Sequence, residues 1–312
     1  MPTFSLAQPV LSITFLQELP EPTARAAGVR LLLWRDDLVN PDLPGNKARK
    51  LKYNLMEARH LGYSKLLTFG GAYSNHLAAV AAAGRLRGFA TAGLVRGEAT
   101  GAPNPTLARC AADGMALYYL DRITYRRRAE PAFLAEVQAQ FGPAYLLPEG
   151  GTNVLALKGM AELAAEIRQC VAFDTLAVAV GTGGTLAGLL TGLRGTETAV
   201  GVAALKNGSF LKADIDALTR AATGQIFANY ALATDYHFGG YAKYSADLLA
   251  FIRQFEARHG VLLDPTYTGK LLFGVLDLID RGYFRPGSTV VAVHTGGLQA
   301  WAGWNERFGG KQ

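Results

Sequence analysis

The run "LPGNKARKLKYNL", residues 43–55, places four cations within six positions: Lys47, Arg49, Lys50 and Lys52. A Pro44-Gly45 turn precedes them, and an apolar rhythm at Leu51, Leu55 and Met56 marks a helix that starts there. A helix N-terminus carries positive potential and favours negative charge. Cations gathered at such a place are either solvated or turned toward an anion.

Three other loops carry residue types suited to chemistry. In "LLTFGGAYSNHLAAV" a glycine pair leads into Ser74, Asn75 and His76 and then an apolar helix. Serine or asparagine there makes a good N-cap. The same hydroxyl, with backbone N–H groups and the helix dipole, also makes an anion pocket. In "LAVAVGTGGTLAGLL" an apolar strand runs into Gly181, Thr182, Gly183, Gly184 and Thr185. Consecutive glycines let backbone N–H groups converge on a phosphate. A dinucleotide fingerprint would need glycine three positions after Gly183, where Leu186 stands, and no lysine follows to make a nucleotide P-loop. The loop therefore suits one phosphate. In "LLDPTYTGKLLFGVLDLI" the Asp264-Pro265 turn is followed by Tyr267 and Thr268 at a helix start. A tyrosine there is either a core aromatic or a site residue. His294, in "VVAVHTGG", stands at a strand end and reads as structural or supporting. No HExxH, paired-cysteine or G-x-S-x-G pattern occurs.

The elements that must position these loops alternate along the chain. Strands are expected at 31–34, 66–69, 92–95, 116–120, 145–147, 175–180, 200–205, 261–263 and 289–294, with amphipathic helices between many of them. Strand then helix, repeated, implies parallel sheets covered on both faces. The expected class is α/β, with two doubly wound open sheets. Residues 60–165 hold enough strands for a small inserted domain, leaving 1–59 and 166–312 as a larger one. Ligands in such sheets lie beyond the carboxyl ends of the strands, and a cleft between two domains is the natural site.

Composition narrows the function classes. With 50% hydrophobic and 18% charged residues, the 312-residue chain can build a core and is not a disordered type. Cys110 and Cys170 form no disulfide or metal pattern, which fits a reducing compartment. The start "MPTFSLAQPVLSITFL" lacks a basic region before its apolar residues, and no apolar run reaches membrane-span length. A cytoplasmic protein is expected. The net charge of +6 suits a nucleic acid or a small anion, but no nucleic-acid-binding signature accompanies it. The densest basic run, "DRITYRRRAEP", reads as a solvated helix start, with an anion-facing lid as the functional alternative.

Taken together and in order, "GNKARKL", "GGAYSNH", "VGTGGTLAG" and "LDPTYTGK" resemble the fold-type II pyridoxal-phosphate enzymes. Within them the chain resembles the 1-aminocyclopropane-1-carboxylate deaminase / D-cysteine desulfhydrase family. The resemblance implies that Lys47 forms the Schiff base with pyridoxal phosphate. An imine needs an amine that can lose its proton, and neighbouring cations lower an amine's pKa. It further implies that Lys50 and the loop Gly181, Thr182, Gly183, Gly184 and Thr185 hold the phosphate, leaving Arg49 and Lys52 solvated. Asn75 would touch the cofactor ring near its phenolic oxygen. Ser74, Asn75 and His76 would form the substrate-carboxylate pocket, with Ser74 also handling a proton. Tyr267 matches an active-site tyrosine, and Tyr241, in "HFGGYAKYS", a second, with Tyr244 its competitor.

The resemblance places Thr268 beside the ring nitrogen, where the deaminases carry glutamate. A carboxylate there keeps the nitrogen protonated, whereas a hydroxyl leaves it largely neutral and suits elimination. The expectation is therefore β-elimination from a small D-amino acid such as D-cysteine, giving pyruvate, ammonia and hydrogen sulfide. The alternative is deaminase chemistry on the cyclopropane amino acid, giving 2-oxobutanoate and ammonia. A homodimer with a small amino-acid substrate, and no nucleic-acid or membrane partner, is implied. A nicotinamide-dependent Rossmann oxidoreductase explains the glycine loop but fails at Leu186 and leaves "GNKARK" without a role.

Overall fold

The computed structural model describes residues 15–40, 43–99, 101–298 and 301. Most of the N-terminal run and the last residues of "HTGGLQAWAG" lie outside them. Two sheets organise the chain. The larger has six strands in the order β1-β2-β10-β7-β8-β9, where β1 is Leu16–Glu18, β2 Arg30–Trp34, β7 Thr175–Val180, β8 Thr198–Ala203, β9 Tyr230–Ala233 and β10 Thr289–Val293. Only the β1–β2 pair is antiparallel. The smaller sheet is wholly parallel, in the order β5-β4-β3-β6, with β3 Lys65–Gly71, β4 Ala90–Arg96, β5 Met115–Leu120 and β6 Tyr145–Leu147.

Both sheets are covered on both faces, and the side-chain period of two shows it. Along β7, Ala177 and Ala179 enter one core with helices α1 (Pro22–Ala26), α10 (Ala246–His259) and α11 (Thr268–Asp280). Leu176, Val178 and Val180 enter the opposite core with α7 (Val154–Cys170), α8 (Gly184–Leu193) and α9 (Leu211–Thr223). All six residues of "TLAVAV" are buried, which explains the unbroken apolar run. In the smaller sheet, Leu66 packs with α2 (Asn46–His60), α3 (Asn75–Arg87) and α4 (Pro105–Ala112). Leu67 and Phe69 face Tyr125 of α5 (Arg122–Arg126) and Phe133 of α6 (Pro131–Phe141).

The helices at the expected domain breaks pack across them. Leu51 and Ala58 of α2 belong to a core of the smaller sheet. Leu157, Met160 and Leu163 of α7 belong to a core of the larger one.

The expected strand at 261–263 pairs with no sheet. Val261 and Leu263 are fully buried, but Leu262 and Leu263 give their carbonyls to His294 and to the Trp301 indole. A short apolar run reads alike as strand or buried connection, and here tertiary packing decides. β1 and β9 were not expected. Each is a short strand at a sheet edge: β1, LQE, has one apolar residue, and β9, YALA, is an apolar run of only four residues with no β-branched side chain. No helix among the described residues is long and apolar enough to cross a membrane.

Candidate active site

The carboxyl ends of both sheets open on one cavity of about 610 Å³. After β2 the chain delivers Lys47 and Lys50, after β7 the glycine loop, and after β10 Thr295, Gly296 and Gly297. After β3 it delivers Ser74, Asn75 and His76, and after β6 Glu149 and Gly150. Tyr241 and Tyr267 close the set.

The start of α2 is pinned by a close approach. Gly45, at φ 72°, lies so near the Thr295 carbonyl that a Cβ would stand 2.0 Å from its oxygen. The Asn46 N–H donates to the same carbonyl at 3.2 Å. Asn46 also bridges the site, its amide donating to Thr185 Oγ1 at 2.9 Å and its Oδ1 accepting from Lys47 Nζ at 2.9 Å.

Lys47 keeps part of its surface open to the cavity but is otherwise enclosed by protein. Burial lowers its pKa to about 8, against the opposing charge of Asp264. The expected cause, neighbouring cations, instead acts on Lys50, which is lowered by burial and then by Lys47. Lys50 donates to Gly150 O and Thr152 Oγ1, each at 3.2 Å. Thr152 Oγ1 in turn meets Thr182 Oγ1 at 2.6 Å. A Cβ on Gly184 would lie 2.6 Å from Thr152 Oγ1 and 3.1 Å from Lys50 Nζ, so only glycine admits this cluster at the start of α8.

Arg49 and Lys52 are paired rather than solvated. Arg49 is buried and bonds Asp36 at 2.8 Å and both oxygens of Glu166 at 2.9 and 2.7 Å. Burial works against its charge, but Asp36 and Glu166 outweigh it and raise its pKa. Lys52 pairs with Glu162 at 2.8 Å. Of the four cations, two face the cavity and two tie α2 to its neighbours.

Ser74 caps α3, its Oγ accepting from His76 N at 3.2 Å and Leu77 N at 3.3 Å. It also lines the cavity, so the cap and the pocket coexist. Asn75 Oδ1 is buried without a hydrogen-bond partner. His76 is buried, with Nε2 at 2.8 Å from Thr68 Oγ1. That hydroxyl gives its one proton to Leu147 O, so Nε2 carries the imidazole proton. Burial, then the charges of Lys47 and Lys50, hold His76 well below its ordinary pKa, and it is neutral.

Tyr241 and Tyr267 meet edge to face, ring centroids 6.0 Å apart. Burial raises the Tyr267 phenol well above its usual range, and Tyr241 adds to the shift. Burial also raises Tyr241, though 40% of its surface remains accessible, so water weakens that effect. Tyr244 packs instead on the core of the larger sheet.

Thr268 lies fully buried behind this wall and does not line the cavity. Its hydroxyl donates to Asp264 Oδ1 at 2.8 Å and accepts from Asp264 N at 2.8 Å. Asp264, also fully buried, collects the N–H groups of Thr266, Tyr267 and Thr268 as well. His294 is structural, held by Leu262 O at 2.9 Å and Asp37 at 3.2 Å. In the basic run, Arg127 pairs with Glu130 and Glu136, while Arg128 reaches the cavity wall on Glu149.

Several residues here carried no sequence expectation: Asn46, Thr152, Asp264 and Arg96. Arg96 ends β4, lines the cavity and lies 5.7 Å from the Tyr125 ring centroid. Its position at a strand's carboxyl end was a usable signal. Thr152 lay in a loop without a motif.

The chain belongs to the pyridoxal-phosphate dependent enzyme family, whose model matches residues 8–296. It is 32% identical over 299 residues to a Pyrococcus furiosus protein provisionally named 1-aminocyclopropane-1-carboxylate deaminase, covering 91% of this chain and 89% of that one. It is 30% identical over 289 residues to a Klebsiella pneumoniae D-cysteine desulfhydrase, covering 88% of each. A crystal structure described as an ACC deaminase homologue superposes with a TM-score of 0.82 at 29% identity, covering 95% of this chain and 91% of that one. The protein is thus a pyridoxal-phosphate enzyme of the 1-aminocyclopropane-1-carboxylate deaminase / D-cysteine desulfhydrase group, with the fold-type II architecture.

The residues fit that cofactor. It asks for an amine that can be neutral near pH 8, and Lys47 is one. It asks for a phosphate cradle, which the start of α8 with Lys50 and two threonine hydroxyls resembles. It asks for polar partners on the ring, and Asn75 lines the cavity with an amide that offers both a donor and an Oδ1 acceptor without a partner.

Proposed function

We propose that the protein eliminates hydrogen sulfide from a small D-amino acid of the D-cysteine type, consuming one water and giving pyruvate and ammonia. The observation that carries this choice is Thr268: the buried residue after Tyr267 is a hydroxyl, not a carboxylate. Lys47 would hold pyridoxal phosphate through Nζ. Lys50 and residues Gly181 to Thr185 would hold its phosphate, and Asn75 its phenolic oxygen. Bound there, the cofactor supplies an electron sink for the pair left at the substrate's α-carbon.

The chain's own residues do the rest. Ser74 and the N-terminus of α3 receive the substrate carboxylate, helped by the helix dipole. Lys47 Nζ, a free amine once the substrate's own amine has displaced it, and one that burial makes easy to deprotonate, takes the α-proton. Tyr267 keeps its phenol proton and serves the departing sulfur as donor, with Tyr241 beside it. Neutral His76 adds no competing charge. The same reading includes a homodimer, as the family resemblance implies, and a cytoplasmic location.

One observation favours the second reading, ring opening of 1-aminocyclopropane-1-carboxylate to 2-oxobutanoate and ammonia. The Thr268 proton is committed to the Asp264 carboxylate, so the threonine offers a neighbour only a lone pair. Beside it stands a buried carboxylate, Asp264, whose negative charge would favour a protonated ring nitrogen. A keto-acid assay across D-cysteine, L-cysteine, β-chloro-D-alanine, D-serine and the cyclopropane amino acid decides. Pyruvate formed fastest from D-cysteine is expected. Faster 2-oxobutanoate formation from the cyclopropane substrate would overturn the choice.

A further inference from the structure

Lys270 is the lysine of "TYTGK" for which the site gives no task. It sits in the first turn of α11, fully buried, where the helix terminus disfavours a cation. Its ammonium is satisfied by three backbone carbonyls: Gly240 at 2.8 Å, His237 at 2.9 Å and Ala204 at 3.3 Å. Three acceptors match the three protons of an ammonium. Two of them belong to the loop that carries Tyr241.

That loop does not hold itself in an easy shape. Phe238, Gly239, Gly240 and Ala242 all have positive φ, at 49°, 95°, 119° and 54°. For phenylalanine and alanine this region is costly and needs outside support. Within the loop, Gly239 N bonds His237 Nδ1, Gly240 N bonds His237 O and Lys243 N bonds Gly240 O. These bonds close turns but do not tie the loop to the sheet. Lys270 does so, joining 237 and 240 to Ala204, just beyond the end of β8.

We propose that Lys270 is a positioning residue, an internal cation that clamps the 237–242 loop and so holds Tyr241 against Tyr267 at the active-site wall. The proposal rests on Tyr241 acting in the site. Removing the cation takes the Lys270 donor from Ala204 O, leaves His237 O and Gly240 O with only their turn N–H groups, and lets a strained loop relax. The tyrosine would shift, while Lys47 and the glycine loop, built on other strand ends, would still take up cofactor.

The test compares Lys270→Met, Tyr241→Phe and the double variant as holoenzymes. Lys270→Met is expected to bind pyridoxal phosphate normally and to lose on the order of 10²-fold in kcat/KM, the scale of a misplaced catalytic group. Chymotrypsin should cut it faster after Phe238 or Tyr241 than wild type. In the Tyr241→Phe background, Lys270→Met should cost little more, because both act through the same hydroxyl. Lys270→Ala, which leaves room for a small cation, should regain activity when ammonium chloride is added. If Lys270→Met does not fold, Lys270→Gln, which keeps two donors, should show the same faster cleavage and the same lack of additivity. Additive losses, wild-type cleavage rates, or no response of Lys270→Ala to ammonium would overturn the clamp. A wrong substrate assignment would leave the cleavage result intact. Unchanged turnover on every active substrate in Tyr241→Phe would remove Tyr241 from the site, and the proposal with it.

Discussion

Two helices begin at the cavity with buried lysines, and they are finished differently. At the start of α11, Lys270 has three carbonyl acceptors. At the start of α2, Lys47 has one neutral partner, Asn46, and Lys50 has two, Gly150 and Thr152. Neither Lys47 nor Lys50 meets a carboxylate, although Arg49 and Lys52 between and beyond them are ion-paired. A buried cation whose protons are all matched by the protein is part of the scaffold. One with neutral, incomplete partners is kept for something that arrives.

The contrast can be broken by substitution. Lys47→Ala should lower turnover about 10²- to 10⁴-fold, the usual worth of a positioned base, in a keto-acid assay. Arg49→Met should barely touch the cavity but cost about 3–5 kcal/mol of stability in denaturant unfolding, because Asp36 and Glu166 lose their partner. Lys50→Met should weaken cofactor binding by about 1.5–3 kcal/mol, the loss of a hydrogen bond to a charged group, read by titrating apo-protein with pyridoxal phosphate. Stability should hold or rise in that variant, since a cation disfavoured by burial is removed. Ser74→Ala should raise KM and lower kcat while cofactor stays bound, and the lost cap should cost about 1 kcal/mol of stability. Unchanged kinetics would return Ser74 to a plain N-cap.

The pH dependence sharpens the same comparison. The Lys47 amine is lowered to about 8, so its nucleophilic neutral form grows as pH rises toward and past that value. The rate at which apo-protein captures pyridoxal phosphate should rise between pH 7 and about 8.5 and then level. A rate that keeps climbing toward pH 10 would mean that burial does not activate this lysine.

How much of this was legible beforehand differs by region. Lys47, the glycine loop and Ser74 were readable because each is a local pattern: charges at a helix start, glycines at a strand end, a cap. Tyr241 could be separated from Tyr244 only by tertiary structure, which sends one to the cavity and the other to the core. The ion pairs of Arg49 depend on Asp36 and Glu166, far apart in sequence. The bond from Thr268 to Asp264 spans only four residues, yet no propensity shows where a threonine's proton goes. Most central strands were visible as apolar runs; β9, half-buried at a sheet edge, is a four-residue run with no β-branched residue to mark it as a strand.

The central claim is that the unfinished shell around Lys47 is where pyridoxal phosphate attaches. The direct measurement is to load the protein with cofactor, reduce with borohydride, digest, and locate the labelled lysine by mass spectrometry. The account predicts a single phosphopyridoxyl label on Lys47, with Lys50 and Lys270 unlabelled. A label on another lysine, with Lys47 free, would contradict it.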